Sequence, residues 1–362
     1  MGRCEQGYKE CTTVIEHETV AASSRPYAPS WIDAVAARVR RLPLPALAVY
    51  LGMCALSALL GHLSVWTVGL VPRGALDPRA LLLGFWISYP FLFIHHLDDA
   101  TARAFASFRP ALEITDTEAV RLHYELTTLP AWPVLFVNVI GLISTWIGVR
   151  LSAELTQRYF TATLTIIVVM GLTYFGWAIT ATMVYYTLRQ MRLVTYLYKK
   201  VRRVDLFDPD PLYTFSTVTA RTGIGWVFFL YGTIAILPEL LRNPLWVATT
   251  AAVIALSIAS FLWPLIGIHQ RIVAEKDRLE GEANEHLKLC LAQLHRRVQT
   301  NDLSDADALN KQIASLIMER EVLEKMPTWP WEPGTLRTFL SALFLPIVVW
   351  LLQVVVQQLL GL

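Results

Sequence analysis

The sequence predicts an all-α, polytopic membrane protein of seven transmembrane helices. It places the N-terminus inside and the C-terminus outside, with cytoplasmic helical extensions. Three observations predict it. Of 362 residues, 54% are hydrophobic and 17% charged, whereas soluble domains carry about 25% charged residues. Mean hydropathy is +0.44, the balance of a chain solvated by lipid. Seven apolar stretches reach or approach the roughly 20 residues that a helix needs to cross a bilayer. Lys and Arg gather in alternate connections between them, which marks those connections as cytoplasmic. The net charge of +2 gives no bulk basicity for nucleic acid.

The spans run near Pro45–Val71, Ala80–His95, Ala131–Val149, Phe160–Leu188, Gly223–Leu241, Leu245–Ile268 and Leu336–Leu360. The second is short. The proline-containing connection LPELLRNPL makes the fifth and sixth an antiparallel pair. Arg38, Arg40 and Arg41 precede the first span, and Arg189, Arg192, Lys199, Lys200, Arg202, Arg203 and Arg221 follow the fourth. The alternate connections hold Arg73 and Arg79, then Arg150 and Arg158, then Arg242. Indole rings favour the membrane boundary. Trp132, Trp226, Trp263, Trp329 and Trp331 fall at expected inner ends, and Trp66, Trp146 and Trp246 at outer ends.

Four segments follow. Residues 1–43 form a cytoplasmic tail and an amphipathic helix, WIDAVAARVRRL, lying on the inner surface. Residues 44–268 hold six spans with their cytoplasmic connections. There, Asp98 or Asp99 is expected to cap a new helix, DATARAFASF, and Thr115 with Glu118 has capping-box spacing. The fourth span continues as a helix through RQMRLVTYLYKKVRR to the turn FDPDP. Residues 269–326 form an antiparallel helical hairpin. Ile272, Leu279, Ala283, Leu287, Cys290, Leu294 and Val298 make a narrow stripe on one arm, and Leu309, Ile313, Leu316 and Leu323 one on the other. Residues 327–362 form an interfacial elbow and the last transmembrane helix.

Cys4, Cys11, Cys54 and Cys290 make no CxxC pair, so neither a disulfide framework nor a zinc site is expected. The start, MGRCEQGYKE, has no apolar signal region, and Gln6 stands where a myristoylation pattern needs Ser or Thr. No HExxH, GxSxG, Walker loop or GxGxxG appears, so no enzyme and no cofactor are expected. His95, His96 and Asp99 have the spacing of a helical face that could begin a metal site, with His123 as a further ligand. The simpler reading makes them structural. Thr161, Thr165, Thr173, Gly176 and Thr180 read as a helix-packing stripe on span four. His62 and Asn138 are the main strongly polar residues within the first six spans, which argues against the charge relays of a coupled transporter.

Span seven differs. Pro346, Trp350, Gln353 and Gln357 recur at helical spacing on an aliphatic background. A glutamine amide is costly against lipid, so this stripe faces protein or lines a pore. Ahead of it, KMPTWPWEPG carries Pro327, Pro330 and Pro333 with Trp329 and Trp331. The prolines interrupt the helix, and the two indoles are expected to hold the elbow at the inner surface.

This plan resembles the insect chemoreceptor-type ligand-gated ion channels. The resemblance covers the layout of seven spans, an inside N-terminus, an outside C-terminus and cytoplasmic helices before the last span. It implies a tetramer whose last spans line a central pore, with 318–325 in the anchor helix and Gln353 as the pore glutamine. The aromatic signature of that family's final span is not present here. The expectation is therefore a homo-oligomeric ion channel or channel-like sensor of the plasma membrane, contacting membrane lipids and no nucleic acid. The alternatives are a non-conducting scaffold recruiting a cytoplasmic partner through the hairpin, or a metal-dependent membrane enzyme.

Overall fold

The computed structural model describes residues 26–201, 206–207, 210–300, 306–332 and 334–344. The chain is all-helical, with no strand among the described residues. Helix α1, Trp31–Arg41, starts where the Ser30 hydroxyl accepts from the Asp33 N–H and the Asp33 carboxylate accepts from the Ser30 N–H. It buries Ile32, Ala36 and Val39 on one face. α2, Ala46–Val68, ends at Gly69, whose φ of 78° is a left-handed cap that favours glycine. α3 is Pro78–Phe108, and α4, Asp116–Thr127, is capped by Thr115. α5 is Ala131–Leu151. α6, Gly171–Lys199, is entered through helical turns over 163–170.

α7 is Asp210–Ile236. α8 runs unbroken over 57 residues, Pro244–Thr300, a length of about 86 Å at 1.5 Å per residue. α9, Ala306–Lys325, returns along it, and residues 334–344 are again helical (α10). The hairpin is thus an outgrowth of the same rod that carries the sixth apolar stretch. The 268/269 boundary falls inside α8.

Five helices are long and apolar enough to cross a membrane: α2, α3, α5, α6 with its lead-in, and α8. They differ in what their apolar surface meets. The apolar window of α3 is 72% buried within the protein, against 17% for α5. α3 is therefore the hub, packed on α2, α6 and α7, while α5 turns Phe136 and Ile140 outward. The expected fifth span coincides with α7 and the turn after it. α7 buries Ser216, Thr219, Thr222 and Thr233 within the bundle. Most of the expected seventh lies outside the described residues.

Two sequence expectations are corrected. α3 does not stop at HHLDDA, and neither Asp98 nor Asp99 caps a helix. The polar groups are satisfied sideways instead. Tyr186 Oη donates to Asp98 at 3.0 Å, and Arg40 pairs with Asp99 at 2.9 Å. Trp226 does not sit at a membrane boundary. It is 1% exposed, packed on Phe93 and Phe229, and its N–H donates to Thr187 Oγ1 at 2.9 Å. Given that acceptor, the indole needs no water.

The bundle has two distinct ends. The hairpin end carries α1, α4 and the α8–α9 hairpin, tied by bridges between Pro29 and Pro130 and between Leu112 and Val201. The distal end carries the connections over 69–77, 152–162 and 237–243.

Candidate functional site

Three polar or aromatic constellations stand out, and α8 touches two of them. The first is the elbow. The interruption lies between Lys325 and residue 334. Within it the indoles stack on protein. Trp329 lies face to face with His269 of α8, with ring centroids 3.9 Å apart and planes 8° apart. Trp331 continues the stack at 4.5 Å from Trp329, and Phe261 of α8 lies 5.4 Å from Trp331. Phe339 of α10 closes the column at 4.5 Å from Phe261. His269 Nδ1 is 2.9 Å from the Thr328 carbonyl; the carbonyl only accepts, so Nδ1 carries the proton. Lys276 Nζ donates to the Glu324 and Met326 carbonyls that end α9.

α10 is seated by the same helix pair. A Cβ on Gly223 would lie 2.6 Å from the Phe339 ring and 2.9 Å from the Ser257 carbonyl, so only glycine admits that ring. Tyr231 Oη donates to the Leu343 carbonyl at 3.0 Å. Phe339 and Leu343 are buried, whereas Leu340 and Phe344 face outward.

The second constellation is a buried polar line beside α3. His95 Nδ1 is 3.0 Å from Tyr50 Oη, and its Nε2 lies 3.6 Å from Asp99. Gln190 donates to Thr101 and accepts from Thr222. His96 is exposed on another face of α3. His123 contacts the Phe105 ring. Among the described residues no three His, Cys, Asp or Glu side chains gather where a metal would be held. Tyr50 with His95, Tyr186 with Asp98, and Gln190 with Thr101 join α3 to α2 and α6. Asn138 does the same for α1, α5 and α6: it accepts from Trp31 Nε1 at 2.9 Å and donates to the Ala178 carbonyl and Thr182. Thr173 and Thr180 give their protons to carbonyls one turn back, and Gly176 lies against Trp86. Gly176 gives the close approach expected of the span-four stripe, whereas these threonines bond within their own helix and not across to another.

The third constellation is at the distal end. Asp77, 2% exposed, accepts from Arg158 at 3.0 Å and from Tyr159 Oη at 2.8 Å. Its own N–H donates to His62 Nε2, so the His62 proton resides on Nδ1 and is given to the Ala58 carbonyl. Burial and the adjacent carboxylate push the Tyr159 phenol above its usual range, which keeps it a donor. Beside this knot lies a cavity of about 250 Å³ between α5, α6 and the start of α8. Three indoles form its apolar wall: Trp86 with Trp246 at 5.7 Å and Trp177 at 5.3 Å from Trp86. Arg79 and Ser152 contribute the polar side.

Sequence reasoning did not find this cavity. Trp86, Trp177 and Trp246 come from three helices, and Trp246, expected at an outer membrane end, instead stacks on Trp86. Of the elbow residues singled out from sequence, Trp329 and Trp331 are brought against α8, while Pro330 is buried and Pro327 exposed. Pro333 and the proposed pore residues Pro346, Trp350, Gln353 and Gln357 lie outside the described residues. No protein-family model, curated protein or solved structure matches the chain.

Proposed function

We propose that this chain is a channel-like membrane sensor that works as a homo-oligomer, with its last helix beside the central axis. In this reading the five apolar helices, α7 and the stretch over 336–360 make seven spans. The hairpin end faces the cytoplasm. Its support is the basic set Arg38, Arg40, Arg41, Arg189, Arg192, Lys199 and Lys200 at that end. The observation that carries the proposal is α8. Leu245 and Trp246 at its start line the distal cavity, and Phe261 and His269 further along hold the elbow from which the last helix departs. One rod therefore connects a ligand-sized cavity to the helix proposed to line a pore. Pro264, between Phe261 and His269, interrupts its hydrogen-bond ladder within the stretch that holds the elbow, where a bend costs least.

The test is ion flux in proteoliposomes for the parent and for Trp329→Ala with Trp331→Ala, with thermal stability measured alongside. Altered flux at near-parent stability is expected. No flux from well-folded parent protein under any condition would remove the channel reading. One observation favours the scaffold alternative: α9 leaves Ile317, Met318 and Val322 exposed, a face suited to a second helix. A non-conducting chain that captures a cytoplasmic helix on that face would be such a scaffold.

A further inference from the structure

We infer that the distal cavity is a binding site for a small monocarboxylate with a compact apolar body. The first observation is an unmet donor. Ser152 is 5% exposed and lines the cavity, yet its Oγ has no hydrogen-bond partner among the described residues. Buried hydroxyls are nearly always partnered, so one left open at a cavity wall marks where a ligand atom is accepted. The second is a cation without a direct ion pair, which Asp77 and Glu239 favour only through space. Arg79 donates to the Leu155 carbonyl and lies over the Tyr159 ring at 5.2 Å, but no carboxylate is within ion-pair distance of it among the described residues. Asp77 is taken by Arg158 and Tyr159, and Glu239 is exposed.

Both donors line the cavity and are linked through one backbone turn. Leu155, whose carbonyl holds Arg79, donates its own N–H to the Ser152 carbonyl at 3.0 Å. A guanidinium and a hydroxyl lining one cavity can serve the two oxygens of a carboxylate. The hydroxyls of Thr145, Thr173 and Thr249 have given their protons to carbonyls on their own helices, so they do not compete as donors. The three indoles supply an apolar wall for the ligand's body. At about 250 Å³ the cavity lies just below the usual range for small-molecule sites, which limits the body to one ring or a short chain. The inference uses the proposed sensor only for the side of the membrane from which ligand arrives.

Binding is read as quenching of indole fluorescence in the purified full chain in detergent micelles, where neither flux nor orientation enters. The probes are 4-phenylbutanoate, octanoate and the neutral 4-phenylbutanamide. Saturable binding of either acid is expected, with the amide weaker by about tenfold or more. Preference for 4-phenylbutanoate assigns an aromatic acid from the aqueous phase, and preference for octanoate a fatty acid from the membrane. Ser152→Ala should weaken the acid while leaving ligand-free thermal stability unchanged or higher, because no partner is lost. Gly148→Leu fills the cavity from a helix position with nothing within 4 Å of its Cβ; it should abolish binding in a folded chain. No saturable binding of either acid, equal binding of acid and amide, or full binding by Gly148→Leu would overturn the assignment. Acid binding without flux would leave this site standing and remove only the channel.

Discussion

Replacing Trp329 with alanine removes a ring held between two others. His269 lies 3.9 Å from it on one side and Trp331 4.5 Å on the other, both nearly parallel. Each ring pair contributes about 0.5–1.5 kcal/mol beyond area burial, so the substitution loosens the elbow from α8 by about 1–3 kcal/mol. If the elbow is a gate element, that range corresponds to roughly a 5–150-fold shift in the equilibrium between its positions. The contribution of one pair is isolated by a double-mutant cycle of His269→Ala and Trp329→Ala, using denaturant midpoints in detergent micelles. His269→Ala also deletes the hydrogen bond to the Thr328 carbonyl, worth about 1 kcal/mol, and the cycle subtracts it. A coupling of about 0.5–1.5 kcal/mol is expected. Strict additivity, within about 0.3 kcal/mol, would mean that the rings are adjacent without being coupled and would refute the seated elbow.

Three other outcomes follow from particular contacts. Gly141→Ala should destabilise by about 1–3 kcal/mol in the same unfolding measurement, since a Cβ there would lie 2.9 Å from Ala181 Cβ and 3.0 Å from Ala178 Cα on α6. Asn138→Leu leaves the Trp31 N–H without its acceptor and should cost about 1–3 kcal/mol, with faster proteolysis ahead of α1 as its local sign. Burial pushes the Asp33 carboxyl above its ordinary value of 3.8, despite the hydrogen bonds it accepts from Ser30 and Leu129. The folded chain then binds that proton more tightly than the unfolded one, so the contribution favours folding at low pH and is lost as pH rises through the raised value. Asp33→Asn should therefore show a smaller drop in thermal midpoint between about pH 4 and about pH 7 than the parent.

Local signals were legible in the sequence. Thr115 with Glu118 marked the start of α4, the hairpin stripes put Leu309, Ile313 and Leu323 on its buried side, and the prolines of KMPTWPWEPG marked where the helix breaks. What escaped depended on partners far along the chain. Asp98 looked like a cap because Tyr186, 88 residues away, could not be seen to satisfy it. Trp226 looked like a boundary residue because its acceptor, Thr187, belongs to another helix. That the elbow indoles stack on His269 and Phe261 had no linear signal, because Phe261 read as part of the sixth apolar span and His269 as the start of the hairpin. The cavity needs three helices at once and has no linear signature.

The central claim is that α10 carries the last helix toward the axis of an oligomer, and disulfide trapping tests it most directly. With Cys4, Cys11, Cys54 and Cys290 replaced by serine, single cysteines are placed at Leu340 and Phe344, which face away from α7 and α8, and at Phe136 on the outward face of α5. In reconstituted membranes under mild oxidation, the account predicts cross-linked pairs of chains from Leu340→Cys or Phe344→Cys and none from Phe136→Cys. Cross-linking through Phe136→Cys, with 340 and 344 remaining monomeric, would place the last helix at the periphery and contradict it.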